Sequence, residues 1–166
     1  MERIICIVIG YIFGIFQTGY IYGKIHHVDI REYGSGNAGT TNAIRVLGKK
    51  AGIITYLGDC LKAVFASVLI YLIFRNESSD YLFLLKIYGG LGVVLGHNFP
   101  FYMGFKGGKG IAASSGVLLG LWDFKLSVLA LITFAVVTII FKYVSLGSLV
   151  MMAGFLIEFI IFNELK

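Results

Sequence analysis

Long, continuously apolar runs decide what this chain can fold into. Six can be drawn, at about 4–23, 51–74, 81–98, 108–122, 126–141 and 146–162. None alternates apolar with polar residues, as a strand of a membrane barrel does. Each therefore reads as helix, because hydrocarbon solvates no backbone N–H or C=O and a helix satisfies both internally. About 20 residues are needed to cross ~30 Å of hydrocarbon. The fourth and fifth runs are shorter and require a thinned or protein-lined region. A water-soluble core made from 166 residues could not hide a chain that is 58% hydrophobic and only 14% charged. The expectation is an all-α polytopic membrane protein of six spans, one domain over residues 1–166, without internal repeats. Residues 4–16 follow a single cation, Arg3, and precede no small-residue cleavage site, so they read as a retained first span rather than a signal peptide.

Cations in the connections set the orientation. Lys24, Arg31, Arg45, Lys49, Lys50, Lys106, Lys109 and Lys142 fall on one side if the six runs alternate; Arg3, Arg75, Lys125 and Lys166 fall on the other. Eight against four puts the N-terminus outside, the C-terminus outside, and all three basic loops in the cytoplasm. The net charge of +5 lies in these loops rather than in a basic tail. Phosphate ligands and anionic membrane lipid are the partners this suggests, and nucleic acid is not.

Two loops on that face carry most of the polar chemistry. In "REYGSGNAGTTNAIRVLGKK", residues 31–50, Gly34, Gly36 and Gly39 allow positive φ and converging backbone N–H groups. Ser35, Asn37, Thr40, Thr41 and Asn42 add neutral donors, and Arg45 a planar fork suited to phosphate. A helix beginning near residue 41 would turn its N-terminus to an anion. The plainer reading is a solvated loop whose glycines make turns. In "GHNFPFYMGFKGGKGIAASSG", residues 96–116, Gly107 and Gly108 clear space for backbone N–H groups while Lys106 and Lys109 supply point charges. The nucleotide P-loop spacing is absent, since Gly110 follows Lys109 where Ser or Thr is needed. His97 reads as a hydrogen-bonded structural residue before it reads as a base.

Charge also occurs inside the apolar runs. Asp59 and Lys62 stand at i and i+3 on one helix face, either as a structural ion pair or as support for a site. Lys86 is expected to snorkel to the interface, and Glu158 faces an unassigned partner. Cys6 and Cys60 sit in apolar runs without metal or redox spacing and read as small buried hydrophobes. In "KYVSLGS", residues 142–148, Ser145 and Ser148 share a helix face at the mouth of the sixth run.

Taken in order, "GSGNAGTTNAIRVLGKKAG", "DCLKA", "GHNFPFYMGFKGGKG" and "YVSLGS" resemble the bacterial acyl-phosphate:glycerol-3-phosphate acyltransferase family, PlsY. The resemblance covers nearly the whole chain. It implies a seven-helix protein of the bacterial inner (plasma) membrane, using no cofactor or metal. The implied reaction moves an acyl chain from acyl phosphate to the 1-hydroxyl of glycerol 3-phosphate, giving lysophosphatidic acid for phospholipid synthesis. It also implies active-site roles for Ser35, Arg45, Lys109 and Ser148, with Gly36, Asn37, Asn42, His97, Lys106, Gly107, Gly108 and Ser145 around the substrates.

The sequence departs from the family pattern in three places. Ile15 and Gln17 stand where serine and often proline precede "TGY", and Lys142 stands for the usual arginine before "YVS". The 166 residues also contain no seventh helix and no H-R-x-N-I-x-R-L motif. The resemblance then implies substrate binding with slow turnover. The alternative is a non-enzymatic relative that binds phosphate or lipid headgroups, and transport is a third option. A topology reporter fused after Lys50 should be cytoplasmic and one fused at Lys166 extracytoplasmic; the same side for both would break the six-span count.

Overall fold

The computed structural model describes residues 1–121, 124–143, 146–154 and 157. The chain divides into two compact units, Met1–Leu121 and Trp122–Lys166. Glu158 and Ser145 lie outside the described residues.

The first unit is helical, with helices α1 (Glu2–Gly14), α2 (Thr18–Ile25), α3 (Thr40–Leu47), α4 (Lys49–Phe74), α5 (Ser79–Asn98) and α6 (Ile111–Gly120). Three stretches are long and apolar enough to cross a membrane: Glu2–Ile25, Lys49–Phe74 and Ser79–Met103. At 10 residues, α6 rises only about 15 Å, so the short fourth run is shorter still as helix. The expected first span is not one helix. It breaks after Gly14, and Gln17, in extended backbone at φ −102°, starts α2. Gly48, at φ +87°, separates α3 from α4 by a conformation that L side chains rarely adopt. Pro100 disfavours helix at the residue before it, and α5 duly ends at Asn98.

Helix α4 is turned inside out relative to a water-soluble helix. Ile53, Leu57, Leu61, Phe65 and Leu72 are exposed, whereas Asp59, Lys62 and Thr55 are buried. Spacing of three and four residues puts the large apolar side chains on a common face, as a lipid-contacting surface requires. The opposite face packs through small residues: Ala63 and Ala66 meet Val93 of α5 and Ala113 of α6. On the α4–α6 seam, the Ser67 hydroxyl donates to the Gly120 carbonyl.

Helices α1 and α5 approach more closely than side chains would allow. A Cβ built on Gly92 would stand 2.2 Å from the Ile7 carbonyl oxygen, and one on Gly10 would stand 2.0 Å from that of Gly89. Lipid tails are as apolar as leucine, so association must come from such backbone proximity and van der Waals contact rather than from hydrophobic burial. Lys86 is a correction to the snorkelling expectation. Starting at Ser79, α5 places it two turns in, where its side chain is buried and its ammonium lies 5.5 Å from the Tyr71 ring centroid.

In the second unit, α7 (Phe124–Phe141) ends at Lys142, a non-glycine residue with φ +58°. Residues 146–154 are helical. Gly147 lies against α7, where an added Cβ would meet Thr138 Oγ1 at 2.2 Å. Ser148 and Met151 are buried.

Helix propensity alone favours alanine over glycine by about 1 kcal/mol, so a loss on substitution identifies packing. Gly92→Ala should lower stability in detergent by about 1–3 kcal/mol, the cost of overpacking. Gly154→Ala, with nothing within 4 Å of the added carbon, should leave the thermal midpoint at or above the parent's.

Candidate active site

The first polar loop is anchored before it reaches its glycines. Asp29 accepts from Arg31 twice through the guanidinium, Nε at 3.0 Å and Nη2 at 2.8 Å, and once from the Arg31 backbone N–H at 3.1 Å. Lys24, in the last turn of α2, adds a 3.2 Å ion pair. The Arg31 guanidinium lies 4.6 Å from the Tyr20 ring centroid. Hydrogen bonding from Arg31 holds the Asp29 carboxyl well below the usual carboxylate range, against the opposing effect of burial. This anchor was not singled out from sequence, and an Asp-x-Arg spacing is a weak signal.

Asn42 then shapes the loop from inside. Its amide donates to the carbonyls of Ile30 at 2.7 Å and Tyr33 at 3.1 Å, while its Oδ1 accepts from the Ser35 N–H at 2.9 Å. The side chain is 1% exposed, so Asn42 braces the loop rather than offering its amide to a ligand. Gly34 and Gly36 take positive φ as the sequence suggests, at +60° and +69°. Gly39 does not: at φ −87° it is the extended residue that starts α3, and its N–H donates to Asn37 Oδ1 at 3.0 Å. Helix α3 spans Thr40–Leu47, one residue from the start expected. Ser35, Gly36 and Arg45 are exposed, with Arg45 in the last turn of α3.

The second loop, residues 99–110, lies against the end of α5. That end leaves carbonyls without intrahelical donors, and the Gly107 and Gly108 N–H groups fill them, donating to Asn98 O and His97 O at 3.0 Å each. These two amides were expected to face a phosphate; they are spent on the helix end instead. Their lack of side chains serves close approach, since a Cβ on Gly108 would lie 2.0 Å from His97 Nε2. Lys106 and Lys109 remain exposed, and Gly110 at φ +80° starts α6. What the loop's side chains offer to an anion is the two ammonium groups.

One bond joins the two loops: Asn37 Nδ2 donates to the Gly107 carbonyl at 3.2 Å. It brings the Ser35–Asn37 turn beside the Gly107–Lys109 segment across 70 residues of sequence. Beneath them lies a buried ionic cluster. Lys62 Nζ stands 3.1 Å from Asp59 Oδ1 and 2.8 Å from His97 Nδ1, and donates to the carbonyls of Gly14 at 2.9 Å and Phe16 at 2.5 Å. Asp59 Oδ1 also accepts from the Thr18 hydroxyl at 3.1 Å. Gln17 is buried, and its amide donates to His97 O at 2.8 Å. An apolar cleft of about 490 Å³ opens beside the cluster, walled by Ile12, Phe16, Leu61 and Phe65, with Thr18 and Lys62 at its polar edge. Ser148 belongs to the second unit.

Residues 4–165 match the family model described as glycerol-3-phosphate acyltransferase. Glycerol-3-phosphate acyltransferase of Clostridioides difficile (strain 630) is 46% identical over 148 residues, covering 89% of this chain and 72% of the relative. The enzyme of the same name from Staphylococcus haemolyticus (strain JCSC1435) is 42% identical over 154 residues, covering 90% and 75%. The crystal structure of PlsY, an integral membrane glycerol 3-phosphate acyltransferase, in its glycerol 3-phosphate form superposes with a TM-score of 0.83 at 30% identity, over 97% of this chain and 78% of that one. Its lysophosphatidic acid form gives 0.81 at 29% identity, over 97% and 77%.

The Asp29 anchor has a defined pH signature. A carboxyl whose folded pKa lies below its free value of about 3.9 contributes stability above that pH, which is lost as pH falls through the folded value. Asp29→Asn should therefore cost about 1.5–3 kcal/mol at pH 7. The gap from the parent in thermal unfolding should narrow only below about pH 4. A gap that closes already between pH 7 and 5 would assign the effect to another group.

Proposed function

The chain belongs to the glycerol-3-phosphate acyltransferase family, and on that premise we propose that it moves an acyl group from acyl phosphate to the 1-hydroxyl of glycerol 3-phosphate. The product is lysophosphatidic acid, made at the cytoplasmic face of a bacterial plasma membrane. Support for the acceptor comes from the relatives' common name and from the glycerol 3-phosphate and lysophosphatidic acid forms of PlsY. The observation that carries the site is the Asn37–Gly107 bond, which places two cation-bearing, glycine-rich loops on one seam.

Acyl phosphate arrives activated, with phosphate as a good leaving group. The glycerol hydroxyl oxygen bonds to the acyl carbonyl carbon, the carbon–oxygen bond to phosphate breaks, and the hydroxyl proton leaves with the released phosphate. A covalent protein nucleophile is not required. What the protein supplies is alignment of the two reactants and neutralisation of phosphate charge. Arg45 and Lys109 neutralise phosphate, Lys106 adds field, and Ser35 and Asn37 orient the glycerol headgroup. Gly36 lets the backbone approach. The acyl tail lies in the cleft between α1 and α4, whose walls are apolar and whose polar edge keeps the carbonyl end toward the loops.

The test is release of lysophosphatidic acid by the purified chain in detergent, given acyl phosphate and glycerol 3-phosphate. Arg45→Ala or Lys109→Ala should each raise KM for glycerol 3-phosphate about ten- to a hundredfold, the equivalent of a charge-assisted bond worth about 1.5–3 kcal/mol. Saturable glycerol 3-phosphate binding without any acyl product would favour a non-enzymatic binder of phosphate. Unaltered kinetics in both variants would return the loops to solvated turns.

A further inference from the structure

We propose that Lys62 is a positioning residue for the phosphate-binding loop, acting through the imidazole of His97 and through the break between α1 and α2. The proposal rests on the reading of Lys109 as a phosphate ligand.

The Lys62 side chain is 5% exposed and faces four acceptors: Asp59 Oδ1, His97 Nδ1, Gly14 O and Phe16 O. An ammonium has three protons, so one is shared, and every one is committed to protein. Asp59 would neutralise the charge from this i,i+3 position without the other contacts. The three remaining acceptors come from distant sequence, and two of them, His97 Nδ1 and Phe16 O, lead on to the second loop. Accepting at Nδ1 leaves the His97 proton on Nε2, and that edge of the ring is where Gly108 packs, with room for no side chain. The His97 backbone carbonyl accepts from Gly108 N–H and from Gln17 Nε2. Gln17 follows directly on Phe16, whose carbonyl Lys62 also holds. Two routes therefore run from one ammonium to the residue preceding Lys109, one through the imidazole ring and one through the α1–α2 break.

A residue acting only on stability predicts a different outcome from one that places Lys109. The measurement is glycerol 3-phosphate affinity by calorimetry on the full 166-residue chain in detergent. Four proteins enter a cycle: the parent, Asp59→Asn/Lys62→Met, Lys109→Ala and the triple variant. Asp59 is changed with Lys62 so that no carboxylate is left buried without its cation. The double variant should fold, melt near the parent, and bind about tenfold more weakly. Added to Lys109→Ala it should cost less than about twofold more, because residues acting through a shared partner are not additive. In turnover the loss should fall on KM for glycerol 3-phosphate with kcat unchanged, as for an interaction made equally in ground and transition states.

Parental affinity in the double variant, or fully additive losses in the triple, overturns the proposal while leaving the function reading in place. Unchanged affinity in Lys109→Ala overturns that reading and this proposal with it. Should the double variant fail to fold, Gln17→Leu takes its place in the cycle. It keeps the buried charges paired and removes one donor from the His97 carbonyl. About a threefold loss is expected, absent when Lys109 is already alanine, and parental affinity with Gln17→Leu overturns the proposal.

Discussion

Hydrocarbon solvates no backbone, so each interruption of a helix at membrane depth must find donors and acceptors within the protein. Two helix ends in the first unit, the break after Gly14 and the end of α5, meet this need with partners from elsewhere in the chain. The break after Gly14 leaves carbonyls, which Lys62 fills. The end of α5 leaves the His97 and Asn98 carbonyls, which Gly107, Gly108 and Gln17 fill. Gln17 is itself a product of the first break, and His97 touches the lysine that stabilises it. Neither interruption is self-sufficient, and this mutual dependence brings the α1–α2 junction, the middle of α4 and the second polar loop to one point.

Bringing a charge to that point has a physical cost. A buried ion pair loses the hydration of both partners, and its Coulomb attraction repays this only when further hydrogen bonds satisfy the remaining valences. Asp59 and Lys62 meet that condition through Thr18 on one side and two carbonyls and an imidazole on the other. A neutral donor could not have served three acceptors at once. The helix seams solve a different problem by a different means. Between α1 and α5, glycines at Gly10, Gly89 and Gly92 bring backbones together where hydrophobic burial gives no net drive. The same residue type thus serves three purposes in this chain: close helix contact at Gly92, a left-handed turn at Gly34 and Gly36, and room for an imidazole at Gly108.

The all-helical class and the membrane setting were legible because continuous apolar runs leave few alternatives. The Asp59–Lys62 contact was legible too, from i,i+3 spacing alone, and so was helix α3. What escaped was everything decided by partners far apart in sequence. Residues 4–23 show no proline or polar cluster to mark a break at 15–17; only Gln17 in an apolar run hints at it, and its partner is 80 residues away. Lys86 sits near a span end by sequence, yet α5 begins early enough to bury it beside Tyr71. Gly107 and Gly108 were read for phosphate because glycine next to lysine suggests an anion cradle. Composition shows that N–H groups are accessible, not which acceptor reaches them first.

That last distinction bears on how such a site divides its labour. In a P-loop the backbone holds the phosphate and the fold holds the backbone. Here the Gly107 and Gly108 amides hold the loop to α5, while Asn37 ties its Gly107 carbonyl to the first loop. Backbone groups thus fix position, and charge is delivered by side chains that extend from it. Long cationic side chains tolerate small errors in where their stems begin, but they lose entropy when they grip a ligand. A firm base limits that loss to the side chain itself. On the proposed function, two phosphate-bearing substrates of different length make the same demand, since long cationic side chains on a fixed loop can meet either headgroup without moving it. The buried cluster beneath the loop and the exposed lysines that extend from the loop are, on this view, two halves of one requirement.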